Sequence, residues 1–197
     1  METNISDHII RQALPSMEDA EGDSSSARPS PPWEGSGEVS VLITGASGFI
    51  GSFIVEEALQ RGMKVWAAVR KSSSRQYLTD KRINFIELDF SSEDNLKHQL
   101  EGHHFDYVVH AAGVTKCLHE DDFFRVNTQG TKNLVNAILA LNMPIKRFVY
   151  LSSLSVFGAI KEKRPYSEIS EDDVPKPNTA YGRSKLEAER YLDTIGN

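Results

Sequence analysis

A short apolar run that ends at a glycine turn constrains the fold of this chain most. Residues 39–44 (VSVLIT) have the length and composition of a strand buried on both faces, and Gly45 follows them directly. The next segment, residues 48–61, spaces its apolar side chains as an amphipathic helix does, and Gly62 is a suitable residue to end that helix. The apolar positions of this helix are Phe49, Phe53, Ile54 and Ala58. A buried strand joined to a helix in this way is typical of α/β domains.

The same alternation continues along the rest of the chain. Further strands are predicted at residues 64–70, 83–88, 106–110 and 147–152, and further helices at residues 93–100 and 121–142. Apolar strands that alternate with amphipathic helices are typical of a parallel sheet with helices on both faces. The sequence therefore predicts an α/β fold with a Rossmann-type, doubly wound sheet.

The first 38 residues differ in composition from the rest. They carry eight acidic and two basic residues, so the whole formal net charge of −6 lies in this segment. Residues 18–38 are rich in Ser, Pro and Gly, and Trp33 is the one large side chain that they could bury. Such a segment cannot offset the backbone entropy of folding, about 1–2 kcal/mol per residue. We predict a disordered acidic leader at residues 1–38, with a protein-docking peptide as the alternative, and one domain at residues 39–197.

Composition excludes several classes of function. The predicted domain has no net positive charge, whereas a nucleic-acid-binding surface is expected to be basic. The mean hydropathy is −0.40 and no long apolar run occurs, so no membrane span is predicted. Cys117 is the one cysteine, which excludes a disulfide framework and favours a reducing, cytoplasmic location. No metal site is predicted.

The turn after the first strand has the spacing of a phosphate-binding loop, with glycines at positions 45, 48 and 51. The first glycine permits a tight turn, the second lets a pyrophosphate approach the main chain, and the third lets the helix pack on the strand. The N–H groups at the start of the helix would then face the phosphate. A purely structural glycine turn is the alternative. The predicted cofactor-binding residues of this turn are Gly45, Ser47, Gly48, Phe49, Ile50 and Gly51.

Positive charge follows the second predicted strand. An acidic residue about 20 positions after the glycines would accept hydrogen bonds from the adenosine ribose of NAD, but none is present there. Arg70 and Lys71 instead offer cationic side chains where the 2′-phosphate of NADP would lie. The sequence therefore favours NADP over NAD as the cofactor. The alternative is that both charges are solvated loop residues, as surface Lys and Arg usually are.

The ends of the third and fourth predicted strands are candidate cofactor contacts, because ligands of such sheets bind at the carboxyl edge. Asp89 could accept a hydrogen bond from an adenine amino group, with Phe90 against the ring, or it could be a helix cap or turn acceptor. His110 is interpreted as a packed histidine rather than a catalyst. The small residues after it, which would let a flat cofactor approach the backbone, are Ala111, Ala112 and Gly113.

Polar residues near the end of the chain could carry acid–base chemistry. Tyr181 and Lys185 are four residues apart, hence on one side of a helix, and a cation held near a phenol favours its ionised form. Ser153 follows the fifth predicted strand at the same sheet edge, 28 residues before Tyr181. Asn127 lies on the apolar stripe of the helix at 121–142, so its amide is either a local structural tie or part of a polar network.

In order and spacing, these motifs resemble those of the extended short-chain dehydrogenases/reductases, and within them the NAD-dependent epimerase/dehydratase group, over residues 39–197. The resemblance implies that Tyr181 is the catalytic acid/base, and that Lys185 promotes its ionisation and holds the nicotinamide ribose. It also implies that Ser153 orients the reacting oxygen and that Asn127 lies near the proton relay. The implied function is NAD(P)-dependent oxidoreduction or epimerisation, by hydride transfer, of a nucleotide sugar or a similar small molecule with a hydroxyl or carbonyl group.

The chain departs from the family pattern at two places. Family dehydratases carry Thr-Asp-Glu around the serine position, whereas Leu154 and Ser155 follow Ser153 here, so sugar dehydration is not expected. Family chains continue far past the Tyr-x-x-x-Lys helix, but only twelve residues follow Lys185. We therefore expect the C-terminal strands and the substrate lobe to be missing and turnover to be weak or absent. A non-catalytic dinucleotide-binding module or an inactive fragment is the alternative function.

The resemblance also bears on assembly. Family members often pair through two helices from each subunit, which here would be the helix at residues 121–142 and the one that follows Tyr181. A homodimer is therefore a further expectation, and no other macromolecular partner is predicted.

Overall fold

A computed structural model describes residues 38–159, 168–170 and 172–195 of the chain. The leader predicted at residues 1–38 falls outside this set except for its last residue, so the expectation of disorder stays a prediction. The structure describes the predicted domain from its first strand to the helix that carries Tyr181 and Lys185.

Five strands form one parallel sheet: β1 (Ser40–Thr44), β2 (Lys64–Val69), β3 (Asn84–Glu87), β4 (Tyr107–His110) and β5 (Arg147–Tyr150). Their order across the sheet is β3–β2–β1–β4–β5, and every neighbouring pair is parallel. Each strand lies within its predicted segment. After β3 the chain crosses to the other side of β1, which creates a crevice at the carboxyl edge between β1 and β4. The predicted Rossmann-type, doubly wound sheet is confirmed.

Five α-helices accompany the sheet in the described part of the chain: α1 (Phe49–Gln60), α2 (Glu93–Leu100), α3 (Glu120–Phe123), α4 (Gly130–Ala140) and α5 (Ala180–Asp193). A π-helical turn at Phe124–Gln129 joins α3 to α4, so the helix predicted at 121–142 is not one uninterrupted α-helix. Within these described residues, no helix combines the length and the apolarity needed to cross a bilayer.

The two faces of the sheet have separate hydrophobic cores. All five β1 residues are buried, and because successive side chains of a strand point to opposite faces, β1 needs a layer on each side. Val41 and Ile43 belong to the core beneath α1, whereas Leu42 belongs to the core formed with α2 and α4. Full burial of one such side chain stabilises the fold by about 1.5–3 kcal/mol.

One part of the apolar pattern of α1 does not enter the core. Phe49 and Phe53 lie one turn apart with their ring centroids separated by 5.2 Å, but they are 77% and 51% exposed. Ile54 and Ala58 form the buried face instead. Val55 and Leu59 complete this buried face, and Phe49 and Phe53 lie beyond its edge.

Candidate active site

The glycine turn adopts the geometry that its spacing predicts. Gly45 has a φ of +67°, and a Cβ at this position would lie 2.6 Å from the Ala111 carbonyl oxygen. The Gly48 N–H donates to the Gly45 carbonyl at 2.9 Å and closes the turn. A Cβ at Gly51 would lie 2.1 Å from that same carbonyl oxygen. The first glycine therefore allows β1 to pass close to the end of β4, and the third allows α1 to pack on the turn.

The start of α1 is open to an anion. Gly48 is its N-cap and makes no side-chain capping bond, and no acidic residue occupies the first turn. The first N–H groups of a helix lack intrahelical partners and carry a partial positive charge. Ile50 in this turn is partly exposed. The predicted phosphate-binding residues thus present main-chain donors at the carboxyl edge of the sheet.

A cavity of about 800 Å³ lies at the same edge, beyond β2 and β3. It is lined by four of the residues that the sequence singles out: Arg70, Lys71, Asp89 and Phe90. The other residues that line it are Ser72, Glu87, Leu88, Ser91, Gln99, Arg125 and Val126. Glu87 and Arg125 were not predicted as site residues from the sequence. Strand alternation could have indicated Glu87, which stands two residues before Asp89, but no local signal brings Arg125 to this cavity.

Asp89 makes the contacts of a turn acceptor. Its carboxylate accepts hydrogen bonds from the Ser91 N–H at 3.0 Å and from the Asn95 side-chain amide at 2.8 Å. The hydrogen bonds from Ser91, followed by the one from Asn95, lower the pKa of Asp89 below its ordinary value. Its own N–H donates to the Gln99 side-chain oxygen at 2.8 Å. Of the two roles that the sequence left open for Asp89, the structure shows the turn-acceptor role.

His110 is a buried, packed residue. Its Nδ1 lies 2.7 Å from the Thr44 hydroxyl, and its Nε2 lies 3.0 Å from the Thr131 hydroxyl. The Thr131 hydroxyl donates to the Asn127 carbonyl, so we assign the imidazole proton to Nε2 and the acceptor role to Nδ1. Burial, and then the charge of Lys185, lower the pKa of His110 to about 3. The interpretation of His110 as a packed histidine agrees with this geometry.

Asn127 belongs to a polar network that joins distant parts of the chain. Its side chain is 1% exposed, accepts a hydrogen bond from the Val114 N–H at 2.8 Å and donates to the Val114 carbonyl at 3.1 Å. It also donates to the Ser184 hydroxyl at 3.0 Å. These bonds connect the π-helical turn, the loop after β4 and α5. A π-helical turn is an uncommon geometry that often marks functional sites.

Ser153 stands beside the start of α5. It begins a 3-10 turn (Leu154–Val156), and its hydroxyl accepts a hydrogen bond from the Ser155 N–H at 3.2 Å. A Cβ at Gly182 would lie 2.3 Å from the Ser155 carbonyl oxygen. The absence of a side chain at Gly182 therefore lets the first turn of α5 rest directly on the turn that carries Ser153. This role of Gly182 was not predicted from the sequence, because the close approach is made with a residue far away in the chain.

Lys185 is a buried cation. It is 4% exposed, and its Nζ lies 4.2 Å from the centre of the Tyr150 ring. Burial lowers the pKa of Lys185 to about 8, although the charge of Glu189 opposes this shift. The Tyr150 oxygen is buried and has no hydrogen-bond partner among the described residues. The Tyr181 ring, one helical turn before Lys185, makes an edge contact with the Phe123 ring at 6.1 Å.

These residues form one arrangement at the carboxyl edge of the sheet. A phenol and an ammonium share one side of α5, a serine hydroxyl lies on the adjoining turn, and main-chain donors stand at the start of α1. Such a set can hold an anionic dinucleotide and move a proton at a hydroxyl or carbonyl oxygen. Within the described ranges, no group of three or more His, Cys, Asp or Glu residues is placed to hold a metal ion.

The fold and the glycine turn define an NAD-binding protein of the Rossmann class. A model of the NAD dependent epimerase/dehydratase family matches residues 41–197, which include every site element described above. The chain belongs to this family.

Several relatives are UDP-glucose 4-epimerases. The chain is 30% identical over 171 residues to UDP-glucose 4-epimerase 3 of Oryza sativa subsp. japonica. This alignment covers 79% of this chain and 44% of that protein. It is 34% identical over 140 residues to a UDP-glucose 4-epimerase of Klebsiella pneumoniae, which covers 65% of this chain and 98% of that sequence.

Solved structures show the same fold. WbmH of Bordetella bronchiseptica in complex with NAD+ matches with a TM-score of 0.69 and 29% identity, over 81% of this chain and 54% of that one. The UDP-glucose 4-epimerase of Thermotoga maritima with UDP-glucose matches in fold with a TM-score of 0.70 and 23% identity, over 80% of this chain and 51% of that one. Apart from the Klebsiella sequence, the chain spans about half the length of these relatives.

Proposed function

We propose that this protein binds an NAD(P) dinucleotide across the carboxyl edge of its sheet and acts with it as an epimerase or oxidoreductase of the extended short-chain type. The substrate is a nucleotide sugar or a similar small molecule in which a carbon carries a hydroxyl or carbonyl group. The similarity to UDP-glucose 4-epimerases supports the nucleotide-sugar class.

One observation carries the dinucleotide part of the proposal. The uncapped start of α1 stands beside Gly45, where a Cβ would collide with the Ala111 carbonyl, and the cavity lined by Arg70 and Phe90 lies at the same edge. A diphosphate needs main-chain donors without competing side chains, and an adenosine needs a concave site next to them. The residues present fit both requirements.

The residues around α5 support the chemical part. When bound, the nicotinamide supplies a group that can accept a hydride from the substrate carbon and give it back. The Tyr181 side chain takes the proton from the substrate hydroxyl as the phenolate, or returns it to the carbonyl oxygen as the phenol, while the Ser153 hydroxyl hydrogen-bonds the same oxygen. Lys185, one turn further along α5, brings a buried positive charge to the same side of the helix. Asn127 holds α5 against the loop after β4 and so positions Lys185.

For the cofactor we propose NADP in preference to NAD. Arg70, Lys71 and Arg125 bring three cationic side chains to the cavity, and guanidinium groups bind phosphates in bidentate geometry. Glu87 and Asp89 line the same cavity, and their carboxylates oppose a 2′-phosphate. The preference therefore depends on whether the three cationic side chains outweigh these two carboxylates.

Helix pairing supports the proposal of a homodimer. Ion pairs hold α5 beside α3 and α4, since Arg183 contacts Glu120 of α3 at 3.0 Å and Glu187 contacts Lys132 of α4 at 3.2 Å. Leu139 on α4 is 52% exposed. Sedimentation velocity of the protein and of a Leu139→Glu variant tests the pairing. A monomer at every concentration contradicts it.

Calorimetric titration of the full chain with NADPH and with NADH, followed by a turnover assay with UDP-glucose, tests the proposed function. We expect binding of both dinucleotides, and in the Tyr181→Phe variant a loss of turnover with dinucleotide affinity unchanged within a few fold. Binding without turnover in the parent protein would favour the non-catalytic module over the enzyme. Failure to bind either dinucleotide would contradict the proposal as a whole.

A further inference from the structure

We propose that Tyr150 is a positioning residue whose aromatic face holds the Lys185 ammonium in place and in its charged state. The inference concerns the site of the proposed function, and its relevance to catalysis rests on that function. The contact itself is a property of the protein without any dinucleotide, so it can be tested separately.

The geometry is that of a cation over an aromatic face. The Lys185 Nζ lies 4.2 Å from the Tyr150 ring centroid, inside the limit of about 6 Å for an attractive interaction. Lys185 is almost fully buried, and an ammonium removed from water needs electrostatic compensation. The negative face of an aromatic ring provides it, and the interaction strengthens when water is excluded.

The other groups around Lys185 provide less compensation. From α5 the charge of Glu189 acts on it, but no ion pair joins the two residues in the described part of the chain. Tyr181 stands one turn earlier on the same helix, and His110 on β4, whose pKa burial lowers to about 3, is neutral at ordinary pH. Among the described residues, no carboxylate or hydrogen-bond acceptor bonds to the Lys185 Nζ. The electrostatic contact of this ammonium is therefore with the face of the Tyr150 ring.

The ring of Tyr150 is itself fixed by packing. Tyr150 is the last residue of β5, and its ring stacks on the His110 ring with centroids 5.8 Å apart. His110 is held on both ring nitrogens by Thr44 and Thr131. The Tyr150 oxygen has no hydrogen-bond partner at bonding distance in the described residues, although the Thr131 hydroxyl lies near enough to act on its pKa, and the contact with Lys185 uses the ring. Phenylalanine should therefore serve as well as tyrosine at this position.

Titration of Lys185 in the protein without cofactor tests the inference. The full chain is labelled with 13C-lysine, the Cε resonance of Lys185 is assigned by its loss in the Lys185→Arg variant, and its chemical shift is followed with pH by NMR. Burial lowers the pKa of Lys185 to about 8 in the parent protein. We expect Tyr150→Phe to keep that value and Tyr150→Leu to lower it by about one further pKa unit.

A second variant keeps the ring volume if Tyr150→Leu fails to fold. Pentafluorophenylalanine, placed at position 150 by nonsense suppression, has an aromatic shape but a reversed ring quadrupole, and it should lower the Lys185 pKa as leucine does. A Lys185 pKa that is the same with tyrosine, phenylalanine and the fluorinated ring would overturn the inference. Loss of dinucleotide binding in calorimetry would instead contradict the proposed function and leave these pKa shifts in place.

Discussion

The Asn127 side-chain amide donates a hydrogen bond to the Ser184 hydroxyl at 3.0 Å, so the π-helical turn is linked directly to the helix that carries Tyr181 and Lys185. The same side chain exchanges two hydrogen bonds with the backbone of Val114. A buried amide with satisfied partners fixes the elements around it in one arrangement. Asn127 therefore connects the loop that borders the proposed cofactor site to the helix that carries the acid–base residues.

Replacement of Asn127 should destabilise the fold. Asn127→Ala leaves the Val114 N–H and carbonyl without partners in a partly buried setting and removes the buried bond to Ser184, so we expect a loss of about 2–3 kcal/mol in the free energy of unfolding. Urea denaturation measures it. The exposed Asn178 offers a matched control, because Asn178→Ala removes the same group from the surface. Equal losses in the two variants would show that the network contributes nothing of its own.

Two glycines with similar backbone angles separate backbone strain from close approach. Gly45 and Gly62 have φ values of +67° and +73°, but a Cβ at Gly62 would meet no atom within 4 Å. Gly62→Ala should therefore cost only the left-handed strain, about 1–2 kcal/mol. Gly45→Ala should cost about 1–3 kcal/mol more, because its Cβ collides with Ala111. Denaturant midpoints of the two variants measure the difference. Indistinguishable midpoints would contradict the packing described for the turn.

The buried His110 should make stability depend on pH. Burial lowers its pKa from 6.5 to about 3. Between these pH values the unfolded chain binds a proton that the folded chain does not, so stability is lost as the pH falls through this window, by at most about 1.4 kcal/mol per pH unit. The loss should be smaller in His110→Asn. Denaturation of both proteins from pH 7 to pH 4 tests this, and parallel curves would refute it.

Arg70 should distinguish the two dinucleotides. Arg70→Ser removes one charge from the cavity, and loss of a charge-assisted contact to the 2′-phosphate should weaken NADPH binding about tenfold. The affinity for NADH should change by less than about twofold. Arg75 lies in the same loop but does not line the cavity, so Arg75→Ser is the matched control. An equal effect of Arg70→Ser on both dinucleotides would contradict the proposed NADP preference.

The features that the sequence predicts correctly are formed by residues close together in the chain. β1, the turn at Gly45 and α1 follow one another, so their spacing carries the fold and the phosphate-binding geometry together. The same holds for Tyr181 and Lys185, which are adjacent on α5 because they are four residues apart. The spacing of residues along a helix or a strand predicts contacts of this kind.

The features that the sequence does not predict depend on contacts between different elements of the fold. Gly182 is needed because the Ser155 carbonyl reaches α5 from another element, and nothing in the local pattern signals that approach. The contact of Tyr150 with Lys185 is of the same kind. Asp89 could not be decided because a carboxylate at a strand end suits a ligand and a turn equally well, and its partner Asn95 stands on α2.

A crystal structure of the full chain soaked with NADPH tests the central claim most directly. We predict that the diphosphate lies against the N–H groups of the first turn of α1, within hydrogen-bond distance of the main chain between Ser47 and Gly51, with the adenosine in the cavity beside Arg70. A dinucleotide bound elsewhere on the protein, or a sheet edge that stays empty at saturating NADPH, would contradict the account.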